Sequence, residues 1–294
     1  MPRHGRDRSG WGRPGARRYS RSVAVRLLPD TRELPTELLW NLTLRELRGK
    51  FKRSVLGWLW SVINPLASIA IYTIVFGVFF EVPPPLGEPS GLQSYGFFLV
   101  GGLLPWIFLT NSLTGAAQSI TANEGLVRKV YFPRAVLPGA STLAWLASYG
   151  VELSVFGVIL LVWGNMILPW IPVVLVLMAI EAIFVFGLGL LLAAGNAYFR
   201  DVQHFLSIIL NIWFYSTPIL YPPSQLDGQP ALVRLVILDL NPMAIFVDSY
   251  RDVLYHLRMP TGMQWLLMTL IALLTLAVGV TTFRRFEPKL AEEL

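Results

Sequence analysis

The sequence contains no cysteine, which excludes a disulfide framework, a thiolate nucleophile and a thiolate-held metal. Histidine is scarce: His4, His204 and His256 stand far apart, so no metal-ligand spacing exists. Charge is thin. Only 14% of the 294 residues are Asp, Glu, Lys or Arg, against about 25% in a soluble domain. Neither H-E-x-x-H nor a G-x-S-x-G elbow occurs. The phosphate-cradling G-x-x-x-x-G-K-[ST] is missing too. The one Gly-Lys pair, Gly49-Lys50, is followed by Phe51, and Leu44 stands where the first glycine belongs. The chain therefore cannot bind ATP through that loop, and no metal or cofactor of its own is expected.

What is present is apolar: 54% of residues are hydrophobic, with 10 Trp, 10 Tyr and 17 Phe. Such rings anchor helices at membrane interfaces. Six stretches can cross a bilayer, which takes roughly 20 residues each: 58–80, 96–117, 136–163, 170–196, 203–221 and 263–283. The expected fold is an all-α integral membrane protein with six transmembrane helices.

Basic residues orient it. Residues 1–53 hold 14 Lys and Arg against five Asp and Glu, and the remainder holds 10 against 13. With the N-terminus inside, 21 basic residues fall on the cytoplasmic side and three, Arg234, Arg251 and Arg258, outside. That split places both termini in the cytoplasm. Residues 1–35 form a basic arm too poor in apolar groups to order. No apolar core of a signal peptide follows within the first 30 residues.

Residues 36–55 predict an amphipathic interface helix. Trp40, Leu44, Leu47, Phe51 and Val55 make an apolar stripe, and Arg45, Arg48, Lys50, Lys52 and Arg53 fill much of the rest. Such a helix is expected to lie flat on an anionic inner leaflet. It is a topology anchor, or the cluster meets an anionic head group. Residues 122–134 predict a short inside helix capped by Asn123 and stopped by Pro133. Its apolar tip of Leu126, Val127 and Val130 suits docking into a partner's groove, or the segment is an ordinary loop. Residues 222–262 are too long and apolar for a free loop. They predict short re-entrant helices split at Asn241-Pro242, which line or plug a pathway; the plain alternative is an extracellular cap.

Polar stripes run along three spans: Ser61, Asn64, Ser68 and Tyr72; Thr110, Thr114, Gln118 and Thr121; and Ser207, Asn211 and Tyr215. Spacings of three and four put each set on one helix face. These stripes either bond helix to helix or line a passage. Ser68, Tyr72, Tyr149, Glu152, Asn211, Trp213 and Tyr215 are the candidate lining residues. Glu152 and Glu181 fall near mid-span, where carboxylates are expensive; they are structural, protonated or hydrogen-bonded to Tyr or Trp, or they face water as pathway groups. No Lys or Arg lies within a span to neutralise them.

The run RELRGKFKRSVLGWLWSVINPL (45–66), then LVRKVYFPRAVLP (126–138), NAYFRDV (196–202), STPILYP (216–222) and the Asn241-Pro242 turn resemble, in that order, the membrane subunit of type II ABC exporters of O-antigen, teichoic acid and related polysaccharides. The likeness covers 36–290, the transmembrane domain being 56–290. It implies a homodimeric permease of the bacterial cytoplasmic membrane, with two copies of a separate ATPase that carry ATP and Mg. Residues 123–132 would be the coupling helix, with Glu124, Leu126, Val127, Arg128 and Lys129 meeting that ATPase. Residues 36–53 would be the gate helix and 222–262 the outer closure. The cargo would be a polyprenyl-diphosphate-linked glycan, and membrane lipids but no nucleic acid would be partners. A drug exporter of the same fold, a proton-coupled carrier using Glu152 or Glu181, and a membrane glycosyl- or acyltransferase are the competing readings.

Overall fold

The computed structural model describes residues 34–51, 56–81, 83–130 and 132–289. The described residues form helices and turns, with no strand among them. Helix α1 is Leu34–Phe51. Helix α2, Trp60–Tyr72, runs on as a wider π-type coil over Thr73–Phe79. Then come α3 (Tyr95–Ser119), α4 (Glu124–Lys129), α5 (Val136–Val162), α6 (Ile171–Tyr198) and α7 (Val202–Tyr215). The chain finishes with α8 (Ala231–Arg234), α9 (Pro242–Arg251) and α10 (Gly262–Phe286).

Five helical stretches are long and apolar enough to cross a membrane: Val62–Phe79, Tyr95–Ser119, Val136–Val162, Leu168–Tyr198 and Gly262–Phe286. The protein is an all-helical, multi-pass membrane protein. The expected fifth span, 203–221, is helical only to Tyr215. Fourteen residues reach roughly 21 Å, short of the roughly 30 Å hydrocarbon core. The helix stops because Ser216 and Thr217 are followed by Pro218, which has no N–H to continue the ladder.

Helix α3 occupies the centre. It is buried along most of its length, from Tyr95 to Ser119, with Thr114 and Gln118 left exposed near its end, and touches α2, α5, α6, α7 and α9. The most extensive helix pair is α6 with α10. Gly187 allows it: a methyl there would stand 2.5 Å from the Thr275 carbonyl carbon. Gly279 faces Gly187 from the other side, so two small residues let the backbones meet. Thr261 starts α10 with a capping box: its hydroxyl accepts from Gln264 N–H, and the Gln264 side chain accepts from Thr261 N–H at 2.6 Å.

Helix α1 does not rest alone on a surface. It packs along the first half of α5, with Leu39 beside Gly139 and Lys50 reaching Ala144 and Ser148. The stripe expected to be its apolar face is out of phase. Trp40 is 62% exposed, whereas Leu42 and Thr43 are buried and Leu38 and Leu39 join the cluster around Ile120 and Val136. The side turned to α5 is therefore that of Leu39, Leu42 and Thr43, and Trp40 points away from it.

Candidate translocation and coupling sites

Helix α4 sits between α3 and α5, entered through a tight turn over Thr121–Asn123. Val127 is buried against Leu42, Ile120, Phe132 and Val136, and Leu126 packs beside it. Of the tip expected to dock outward, Val127 is thus turned inward and Leu126 is half-buried, covering the ends of α3 and α5, while Val130 is exposed. What it offers outward is Ala122, Gly125, Arg128, Lys129 and Val130. Glu124 pairs with Arg128 at 2.8 Å, one helical turn away. Asn123 does not cap α4 with its side chain. Instead its Nδ2 donates to the Ser119 carbonyl at 2.8 Å, and its Oδ1 accepts from Arg45 at 2.7 Å.

The basic cluster of α1 divides. Arg45 and Arg48 are exposed. Lys50 turns into the protein, donating to Ala144 O at 3.1 Å and Ser148 Oγ at 3.0 Å, with its ammonium 3.2 Å from the centroid of the Trp145 ring. Burial pulls the amine down to about 7, while the charges of Glu152 and Glu46 act to raise it. Lys50 is therefore the cation near Glu152 that no span supplies, and its amine is engaged by α5 rather than offered to a head group. Lys52 and Arg53, and the arm before residue 34, lie outside the described residues.

Among the candidate lining residues, Asn211 and Tyr215 stand exposed on α7, and Ser68 and Tyr72 are half-buried on α2. Tyr149 is not on an open face. It is 1% exposed, stacked on Phe108 with centroids 4.9 Å apart and edge-on to Tyr250, because α3 and α9 close over that side of α5. Trp213 also turns inward, edge-on to Trp106 at 5.7 Å, and donates from Nε1 to Asn241 Oδ1 at 2.7 Å. Glu152 is half-buried. Glu181 is fully buried and accepts from the Tyr250 hydroxyl at 2.8 Å, a structural tie between α6 and α9. No cluster of metal-ligating side chains occurs among the described residues.

The 222–262 segment is a set of short helices broken at Asn241-Pro242. Asn241 caps α9 by accepting from Met243 N–H at 3.1 Å. Its Nδ2 donates to Ser216 O and Thr217 Oγ1, both at 3.0 Å. Tyr250 meets Glu181 at the middle of α6, and Phe246 stacks on Phe184 at 5.5 Å, so α9 reaches deep into the helix bundle.

Arg251 is the residue the sequence concealed. Counted as an outer-loop charge, it is 1% exposed. Its guanidinium donates to Phe98 O at 3.1 Å and to Pro218 O and Ile219 O, both at 2.5 Å, and lies 3.7 Å from the Phe98 ring centroid. Gly102 leaves room for it: a methyl there would come 2.8 Å from its terminal nitrogen. The broken stretch after α7 thus has its carbonyls satisfied by a side chain, as irregular backbone within a membrane protein requires. No local signal marked it, since Asp248 and Asp252 beside it in sequence read as ordinary surface partners.

Residues 37–255 match the family model described as ABC-2 type transporter. The chain belongs to that family. It is 31% identical over 257 residues to the O-antigen export system permease protein RfbA of Myxococcus xanthus, covering 87% of this chain and 95% of the relative. An RfbA permease of Klebsiella pneumoniae is 30% identical over 263 residues, covering 88% and 95%. The polysialic acid transport protein KpsM of Escherichia coli is 24% identical over 254 residues, covering 84% and 92%. The ABC-2 relationship bears out the resemblance read from the motifs. The relatives are polysaccharide-export permeases, and the ABC-2 family implies an ATP-binding-cassette partner.

Proposed function

We propose that this chain is the membrane-spanning half of an ATP-driven exporter that moves a polyprenyl-diphosphate-linked polysaccharide outward across the bacterial cytoplasmic membrane. It acts as a homodimer with two copies of a separate ATPase. The observation that carries this is the likeness to O-antigen export permeases along nearly the full length of both chains. The sequence supports it further by having no phosphate-cradling loop and by its one-sided basic charge, the pattern of a chain with cytoplasmic termini.

In this reading the outward face of α4, with Arg128 and Lys129, takes the push of the ATPase. Closure of the ATPase pair binds one arrangement of the permease better than the other, and that difference drives the change of state. Arg45 and Arg48, with Lys52 and Arg53, draw the diphosphate to the inner mouth. Ser68, Asn211 and Tyr215 face the passage. Residues 222–262 re-enter from the outer side and close it.

The test is reconstitution. Proteoliposomes holding the chain with its ATPase should export a lipid-linked oligosaccharide on ATP addition, and the chain alone should not. Transport by the chain alone on a proton gradient would overturn the reading. Topology is readable directly, since the natural chain has no cysteine. Ser9→Cys and Ala291→Cys should resist an impermeant thiol reagent in intact cells, and Gln93→Cys should react.

A further inference from the structure

A polar cleft of about 490 Å³ opens where α3 and α6 end and α4 and α7 begin. Gln118, Thr121, Glu124, Asn196, Arg200 and Gln203 line it. Its size is that of a small-molecule site, roughly 300–1,000 Å³, but such sites are mostly apolar and this one is not.

One lining group is left wanting. Asn196 is 2% exposed. Its Nδ2 donates to Ala117 O at 2.9 Å, while its Oδ1 has no hydrogen-bond partner. Buried polar atoms are rarely left so, and this one lies behind the cleft wall, where Gln118 and Gln203 present further carboxamides to the opening. Arg200 makes no ion pair among the described residues, whereas the Glu124 charge is held by Arg128. The cleft therefore presents three carboxamides, a hydroxyl and one unpaired guanidinium, a set that donates and accepts together. A phosphate diester only accepts and would leave the carboxamide oxygens of Gln118 and Gln203 unmet. A hydrocarbon does neither. A polyol does both.

The cleft is also the foot of a polar track. On α3, Thr114 and Thr110 stand one and two turns from Gln118. On α7, Ser207 and Asn211 stand one and two turns from Gln203. Thr114, Ser207 and Asn211 are exposed, and each bonds back to its own helix.

We propose that this cleft binds the sugar hydroxyls of the exported glycan, as the first carbohydrate subsite on the inner side of the pathway. The proposal rests on the export reading above and adds to it a place where sugar, rather than diphosphate, is held.

The complete transporter, permease with ATPase, is reconstituted in liposomes. It is photolysed with a polyprenyl-diphosphate-linked disaccharide bearing a diazirine on the outer sugar, and labelled peptides are mapped. Label should fall within 118–124 and 196–203. Excess unlabelled lipid-linked disaccharide should suppress it, and bare polyprenyl diphosphate should not. Gln118→Leu with Gln203→Leu, and separately Arg200→Ala, should each cut labelling at least tenfold while still co-purifying with the ATPase. Label elsewhere, or equal suppression by the bare diphosphate, would overturn the subsite. So would loss of the ATPase from these variants, which would make the cleft a protein dock. ATP-driven export measured in the same liposomes separates the two claims. Label in the cleft without export keeps the subsite and sinks the exporter; export with no label in the cleft does the reverse.

Discussion

The Arg45 guanidinium donates to the Asn123 side-chain oxygen at 2.7 Å, joining α1 to the segment that leads into α4. The two residues are 78 positions apart in sequence, and each is anchored: Arg45 also touches Glu46 at 3.1 Å, and Asn123 grips the last turn of α3. A push on α4 is thereby shared with the basic helix. Arg45→Ala and Asn123→Ala should each cost little stability, with a coupling of about 0.5–1 kcal/mol in a double-mutant cycle. Both should raise the ATP consumed per glycan exported. Unchanged stoichiometry in both variants would deny the link a role.

Arg251 is expected to be the most sensitive single position. Arg251→Met leaves three buried carbonyls without donors, and each unmade bond costs about 1–3 kcal/mol. Thermal unfolding in detergent should show a loss of about 3 kcal/mol or more. Arg251→Lys should recover little, since one ammonium cannot span carbonyls on two segments as the planar fork does.

Asn241→Ala removes a cap, the partner of Trp213 Nε1 and two donors at once. A loss of about 2–3 kcal/mol follows from the cap and the stranded indole. Asn241→Asp keeps the acceptor oxygen and loses the donors, so it should fall between. Tryptophan fluorescence during unfolding reports both.

Lys50 predicts a pH slope. Its amine is held at about 7 by burial, against 10.5 for the free side chain. Between those values the unfolded chain binds more protons than the folded one, so stability rises as pH rises. Below about 7 both forms are protonated and this contribution is flat. The melting temperature should climb from pH 7 to pH 9, and Lys50→Met should reduce the climb. A wild-type profile matching that of the variant would place Lys50 in water.

The spans were readable because their hydrophobic runs are long and water-excluded lengths are fixed by the bilayer. The break at Asn241-Pro242 was readable because proline and a capping asparagine act locally. What the sequence hid depends on neighbours. The stripe through Trp40 does not reveal that Leu39 and Leu42 pack on α5, which only the tertiary fold brings alongside. Leu126 and Val127 look like a docking tip until α3 and α5 need covering. Tyr149 shares a helical face with Glu152 in projection, but only tertiary packing reveals that Phe108 and Tyr250 enclose it. Arg251 counted as a loop charge because its three acceptors come from residues 32 to 153 positions away.

Asn241 and Arg251 stitch the end of α7, the broken stretch behind it and α9 into one piece. Sliding α7 by itself would tear those seams, so this block has to travel whole. That piece is itself pinned to α3 through Phe98 and to α6 through Glu181, so any displacement of the end of α7 is handed directly to the centre of the bundle.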